Sequence, residues 1–396
     1  MHRVPTSAPR TPTAARAALF AICAAALWLA TACGGVGTGG TGSFTMGPIG
    51  GFGSVIVNGI SFDDDGAVVE DDDGVRRSRD DLRLGMIVEV ESAPISGGRA
   101  VATRMRVASE LRGEIESVDI ATRRFRVLGQ TVQVDAHTLY GDGLPFGALG
   151  LLPGRIVEVH GQVDADGPVL RATRIDLRLA ALSYKLRGPV AAVDTGARTL
   201  RIGSEVFSYA GATVQPVDPA GLRWARLLLR TERNALGQWS ILAFGPAEPA
   251  PPAEAAQWSI QGLITQFGSA TSFNVNGLPV NASAATFPDG TAGLARGVRV
   301  TVTGEGGAGT LVASRVEIET DAQRQARGFA LTGPVGAVDA AARTLVLRGI
   351  TVGWGRSDLV FVGGGPADLV DGRRILLQGV VGADGTRLEA VRIQFL

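Results

Sequence analysis

The sequence predicts an all-β protein, built as about five tandem OB-like barrels of roughly 70 residues and five strands each. Three observations predict it. Glycine and proline are abundant, at 55 and 19 of 396 residues, while 45% of the chain is hydrophobic; many short apolar segments broken by turns have this composition. Apolar and polar residues alternate along segment after segment, with the period of two that a strand imposes. Finally, one pattern recurs through the chain.

The N-terminal segment carries Arg3, Arg10 and Arg16, then the apolar run AALFAICAAALWLA at 17–30. That run has the length of a signal-peptide core and is short for a membrane span. It ends in LATAC, which resembles a bacterial lipobox. Residues 1–32 are therefore expected to be a lipoprotein-type signal peptide, with Cys33 lipidated. Ala30 departs from the pattern, since leucine is usual three residues before the cysteine and here Leu29 stands one place earlier. Plain secretion with cleavage near Ala32 is the alternative. Residues 33–45 read as a glycine-rich tether. Cys23 leaves with the leader, so the mature chain would hold at most one cysteine and no internal disulfide.

The repeats follow. Unit one spans 46–108, unit two 109–179, unit three 180–244, unit four 258–320 and unit five 321–396. Each opens on a glycine, an apolar strand, a turn and a second strand: GEIESVDIATRRFRVLGQTVQVD from Gly113, GPVAAVDTGARTLRIGSEVFSY from Gly188, and GPVGAVDAAARTLVLRGITVGW from Gly333. Units one and four carry shorter relatives, from Gly51 and Thr265. Each unit closes on Leu, Gly and two long alternating strands, as in LLPGRIVEVHGQVDADGPVLRATRIDL and LVDGRRILLQGVVGADGTRLEAVRIQF. In unit two, Val157 and Val159 share one face while Ile156, Glu158 and His160 share the other. Val88 and Val90, then Val300 and Val302, repeat the first pair. The tips Asp164–Gly167 and Gly382–Gly385 supply turn chemistry. Unit three is eroded: LRWARLLLRTERN puts Ala225 at the glycine position and Arg230 at an apolar one. The proline-rich linker 245–257 should divide units one to three from units four and five. A stacked β-solenoid is the competing architecture, but its repeats are usually shorter.

These paired signatures, a glycine-led strand with a Val-Asp turn and then G-x-x-V-x-V-x-G with D-x-x-G and A-x-x-I, resemble the bacterial family called domain of unknown function 5666. The resemblance covers nearly all of 46–396, weakly in unit three. It implies an exported lipoprotein with tandem copies. It carries over no catalytic residue, because the shared positions are turn glycines and core residues.

Composition excludes several functions. Basic and acidic residues balance at 38 each, and losing the three leader arginines leaves 35 against 38. With 6% aromatics and no basic excess, a single-strand nucleic-acid groove is not expected. A membrane-spanning barrel, which the terminal Phe395 and Leu396 would suit, lacks aromatic girdles and has arginine on both strand faces. Lys185 is the only lysine, so lysine chemistry has almost no residue to use. His137 and His160, the histidines left after cleavage, read as ordinary surface residues. Two G-x-G-x-x-G strings, at Gly35 and Gly304, lack the strand-then-helix context of a phosphate cradle.

The acidic run SFDDDGAVVEDDDG is the one site-like feature. Asp63, Asp65, Asp71 and Asp73 are calcium candidates, since calcium takes several carboxylate oxygens on a flexible loop. Ser61 breaks the EF-hand spacing, and Arg76, Arg77 and Arg79 follow as neutralising partners, so a solvated hairpin is the preferred reading. No cofactor is expected. The expected function is a non-enzymatic envelope lipoprotein, held to the membrane by its N-terminal lipid in the outer membrane. Its modules would bind polysaccharide, peptidoglycan or an envelope protein. The alternative is an envelope hydrolase that acts on glycans with carboxylates alone.

Overall fold

The alternating segments become paired strands, in a computed structural model that describes residues 42–396 apart from 142, 146, 165–168, 215–217, 248–250, 253–254 and 308, together with the first two residues. The leader beyond its first two residues, residues 33–41 of the expected tether with Cys33, and most of the Asp164–Gly167 tip lie outside the described residues, whereas 42–45, expected as tether, belong to a strand.

Unit one comprises β1 (Gly42–Phe52), β2 (Val55–Val57), β3 (Ile60–Asp63), β4 (Val68–Asp71), β5 (Ile87–Ser92) and β6 (Arg99–Val107). Unit two comprises β7 (Leu111–Asp119), β8 (Arg124–Val127), β9 (Gln130–Gln133), β10 (Leu139–Tyr140), β11 (Ile156–Asp164) and β12 (Val169–Arg178). Unit three comprises β13 (Tyr184–Asp194), β14 (Thr199–Ile202), β15 (Glu205–Ser208), β16 (Thr213–Val214), β17 (Trp224–Arg233) and β18 (Trp239–Pro246). Unit four has β19 (Ala255–Ser269), β20 (Ser272–Val275), β21 (Leu278–Asn281), β22 (Arg299–Gly307) and β23 (Thr310–Ile318). A short helix, α1 (Asp321–Arg327), leads to unit five: β24 (Phe329–Asp339), β25 (Thr344–Leu347), β26 (Ile350–Gly353), β27 (Val360–Val362), β28 (Arg374–Val381) and β29 (Leu388–Phe395).

Every unit closes the same way. In unit one β1 pairs with β2, β2 with β3, β3 with β6 in parallel, β6 with β5, and β5 returns to β1. The same circuit runs through β7–β12 and through units three to five. These are five small closed barrels, OB-like in strand number and size, and closure leaves each with no free edge among its five strands. A short extra strand lies parallel to the last one in four units. The expected inward valines, Val88, Val90, Val157, Val159, Val300 and Val302, are fully buried.

Unit three is not eroded as its sequence suggests. In the other units the turn glycine (Gly85, Gly154, Gly297, Gly372) donates its N–H back to the first strand, at Ile49, Ile115, Ile264 and Val335. All four have φ between +78° and +85°, where glycine is favoured. Unit three lacks that stretch altogether: Leu222 runs directly into Arg223, whose carbonyl accepts from Val190 as Met86 accepts from Ile49. Ala225 therefore stands opposite Gly188, the place Val88 holds opposite Gly47. Leu227 and Leu229 fill the core and Arg230 faces outward.

The linker does not divide the protein. β1 pairs in parallel with β19 through Phe44 and Met46, then with β24 through Gly51 and Phe52. Unit one is thereby joined to both units beyond the linker, and β18 and β19 leave only 247–254 between them. β7 and β13 join units two and three. The cores merge accordingly: one holds units two and three, a second holds mainly units one and five, and a third seats Phe44, Met46 and Ile87 in unit four. Asn58 Oδ1 is an orphaned atom at this junction, as is Thr45 Oγ1 on β1. Asn276 Oδ1 accepts the Leu263 N–H, whereas Asn58 Oδ1 has no partner because Pro48 stands in the equivalent place and has no N–H.

Candidate functional site

Like the inward valines, the outward-facing residues of β11 follow from alternation, but His160 and Gln162 are buried and Glu158 is largely covered. Glu158 and His160 look into a cleft of about 280 Å³ where units one, two and three meet. Unit one supplies Asp71, Asp72 and Asp73 from its hairpin, unit two adds Arg174, Asp176 and Arg178 from β12, and unit three adds Lys185.

His160 is thus corrected from a surface residue to a buried one, 1% exposed. Its Nδ1 lies 3.0 Å from the Ala108 carbonyl oxygen, which can only accept, so Nδ1 carries the proton. Burial holds the imidazole below its ordinary value, hence neutral at pH 7. His137 is half-buried, and burial together with Arg324 lowers it as well.

The acids of the cleft are each held by a cation, except Asp81, which accepts the Ser78 N–H at 2.9 Å. Arg174 grips Asp176 through two hydrogen bonds of 2.6 and 2.9 Å. Arg178 binds Glu158. Burial alone would raise Glu158, but the charge His160 takes on in acid and the Arg178 guanidinium outweigh it, and the carboxyl sits at about 2. Asp72 pairs with Lys185 across 113 residues of sequence, both side chains buried. Asp73 pairs with Arg226 of unit three at 2.5 Å.

The calcium candidates do not converge. Asp63 Oδ1 accepts the Asp65 N–H, and Asp65 pairs with Arg79. Asp71 accepts from the N–H groups of Asp73 and Val75 and from Arg77 at 2.7 Å. Only Asp71 and Asp73 of the four line the cleft, and among the described residues no group of three His, Asp or Glu is placed to hold a metal. The expected neutralising role of Arg77 and Arg79 is what the geometry shows, while Lys185 and Arg226 are partners that local sequence does not suggest. One signal was available for Lys185: a single lysine in an arginine-based chain.

Comparison with known proteins adds three findings. No curated protein matches the chain. Among solved structures it is similar to Drosophila Unr CSD456, at 13% identity over 72% of this chain and 96% of that one, but with a TM-score of 0.14, too poor a superposition to bear on fold or function. The family described as domain of unknown function (DUF5666) matches residues 47–106, 112–176 and 261–317, which fall in units one, two and four. Units three and five share their strand circuit. The chain therefore carries three tandem copies that match DUF5666.

Proposed function

We propose that this protein is a non-enzymatic binding or scaffolding protein of the cell envelope, exported and lipid-anchored at Cys33, with polysaccharide, peptidoglycan or an envelope protein as its partner. One observation carries the non-enzymatic part: every acid of the large charged cleft is already committed to a cation or a backbone N–H. Glycan hydrolysis needs one carboxyl that stays protonated near neutral pH to donate to the leaving oxygen. Glu158 is held the other way, at about 2. The carboxyl that burial does push up, Glu110, lies against Arg187 and borders a cavity of only about 20 Å³, too small for a sugar ring. The shared cleft would favour the hydrolase alternative by shape, but its charge state opposes it.

Anchoring is supported by the apolar run 17–30 that ends at LATAC. Labelled palmitate is expected to enter the wild type and not Cys33→Ser. Immobilised protein is expected to capture one recurrent envelope component, identified by mass spectrometry, and to release no reducing ends from envelope glycans. Steady release of reducing ends that Glu158→Gln abolishes would overturn the proposal in favour of the hydrolase.

A further inference from the structure

β1 leaves β19 after Met46 and meets β24 at Gly51, so Pro48, Ile49 and Gly50 bridge a gap between two sheets. That gap is a cavity of about 250 Å³, walled by units one, two, four and five and by α1. Its lining is largely apolar, with Pro48, Ile56, Phe329 and Ala330, yet three arginines reach it: Arg299, Arg324 and Arg327.

Two of these cations are spoken for. Arg324 pairs with Asp135 at 3.0 Å and with Asp321, and Arg327 pairs with Glu319, the one carboxylate in the lining. Arg299 differs. It is 9% exposed, and its Nε donates to Gln162 Oε1 at 2.7 Å. Among the described residues no carboxylate lies within ion-pair reach of it. A buried cation with no carboxylate at ion-pair distance is costly, since Asp135 and Glu319 act on it only from further away, and arginine is almost never fully buried unless it is paired. Burial and the nearby Arg324 already weaken its hold on its proton, bringing it to about 10.

We propose that this cavity binds a small amphipathic carboxylate, whose head takes the free side of the Arg299 guanidinium and whose apolar body lies against Pro48, Ile56 and Phe329. The planar fork of arginine matches a carboxylate through two parallel hydrogen bonds. The cavity lies just below the usual range of small-molecule sites, so it suits a body of about ten non-hydrogen atoms. This site rests on the binding reading above and gives it a ligand class.

The test is calorimetry on the full chain with octanoate as probe, against octanol, acetate and inorganic phosphate. Octanoate is expected to bind at one site, and each control at least tenfold more weakly. Arg299→Gln is expected to weaken octanoate at least tenfold. Gly50→Leu keeps the arginine and fills the space; a Cβ on Gly50 meets nothing nearer than the Ile56 carbonyl oxygen at 3.8 Å, so the variant folds and loses binding. That second variant decides the matter if Arg299→Gln fails to fold. Equal binding of octanol or phosphate, unchanged binding by Gly50→Leu, or no binding of octanoate to the native chain would each overturn the site. Loss of octanoate binding with envelope capture intact removes the site alone, whereas octanoate binding with no envelope capture removes the envelope reading alone.

Discussion

Replacing Lys185 with methionine tests whether the charged cleft holds the units together. Methionine keeps the length and apolar stem of lysine and deletes the charge. The Lys185 and Asp72 side chains are only 4% and 8% exposed, so water and salt screen the pair little. Asp72 Oδ2 has no hydrogen-bond partner even in the native protein, so losing Lys185 strands an ionised carboxylate in the interior. Breaking one side of a buried pair costs about 3–5 kcal/mol. Removing both charges is far cheaper, and Lys185→Met with Asp72→Leu is expected to recover to within about 1 kcal/mol of wild type. Urea unfolding of wild type, both single variants and the double variant closes the cycle, with the slope m checked for constancy. A cost below about 1 kcal/mol for Lys185→Met, the value of an exposed pair, would refute the argument, as would a double variant no better than the single.

Three further outcomes follow from the geometry. Glu158 is depressed in the folded protein, so its stabilising share is complete above pH about 4.5 and is lost as the pH falls toward about 2. A pH titration of stability should show a loss on the order of 3 kcal/mol across that window that Glu158→Gln lacks. Gly161→Ala should cost about 1–3 kcal/mol in denaturant unfolding, because its Cβ would collide with the Arg171 carbonyl oxygen across the β11–β12 bulge. Dilute protease that cuts between 247 and 254 should leave one particle of unchanged mass in size-exclusion chromatography, with the two pieces separating only in denaturant, since β1 holds units four and five directly.

The fold was legible because its signals are local. Turn glycines, the Val-Asp turns and the alternation of Val157 and Val159 each act within a few residues, and the repeat printed them several times. What alternation cannot say is what the second face of a strand meets. Glu158 and His160 fall on the polar side of β11, which reads as solvent until another unit covers it. Lys185 and Asp72 lie in different units, and no periodicity links them. In unit three, a missing turn shifted the apparent register, so Arg230 looked like an intruder in a core it never enters. The Arg299 cavity was invisible for the same reason as the cleft: it is bounded by four units and belongs to none.

β1 also constrains how such a chain can evolve. In a solenoid, each copy touches only its neighbours, so units can be gained or lost at little cost. Here the first strand of the first copy completes contacts with the fourth and fifth, separated from it by about 200 residues or more. Deleting or duplicating an inner copy would move those partners out of reach and expose the apolar face of Phe44 and Met46. Copy number is therefore part of the architecture.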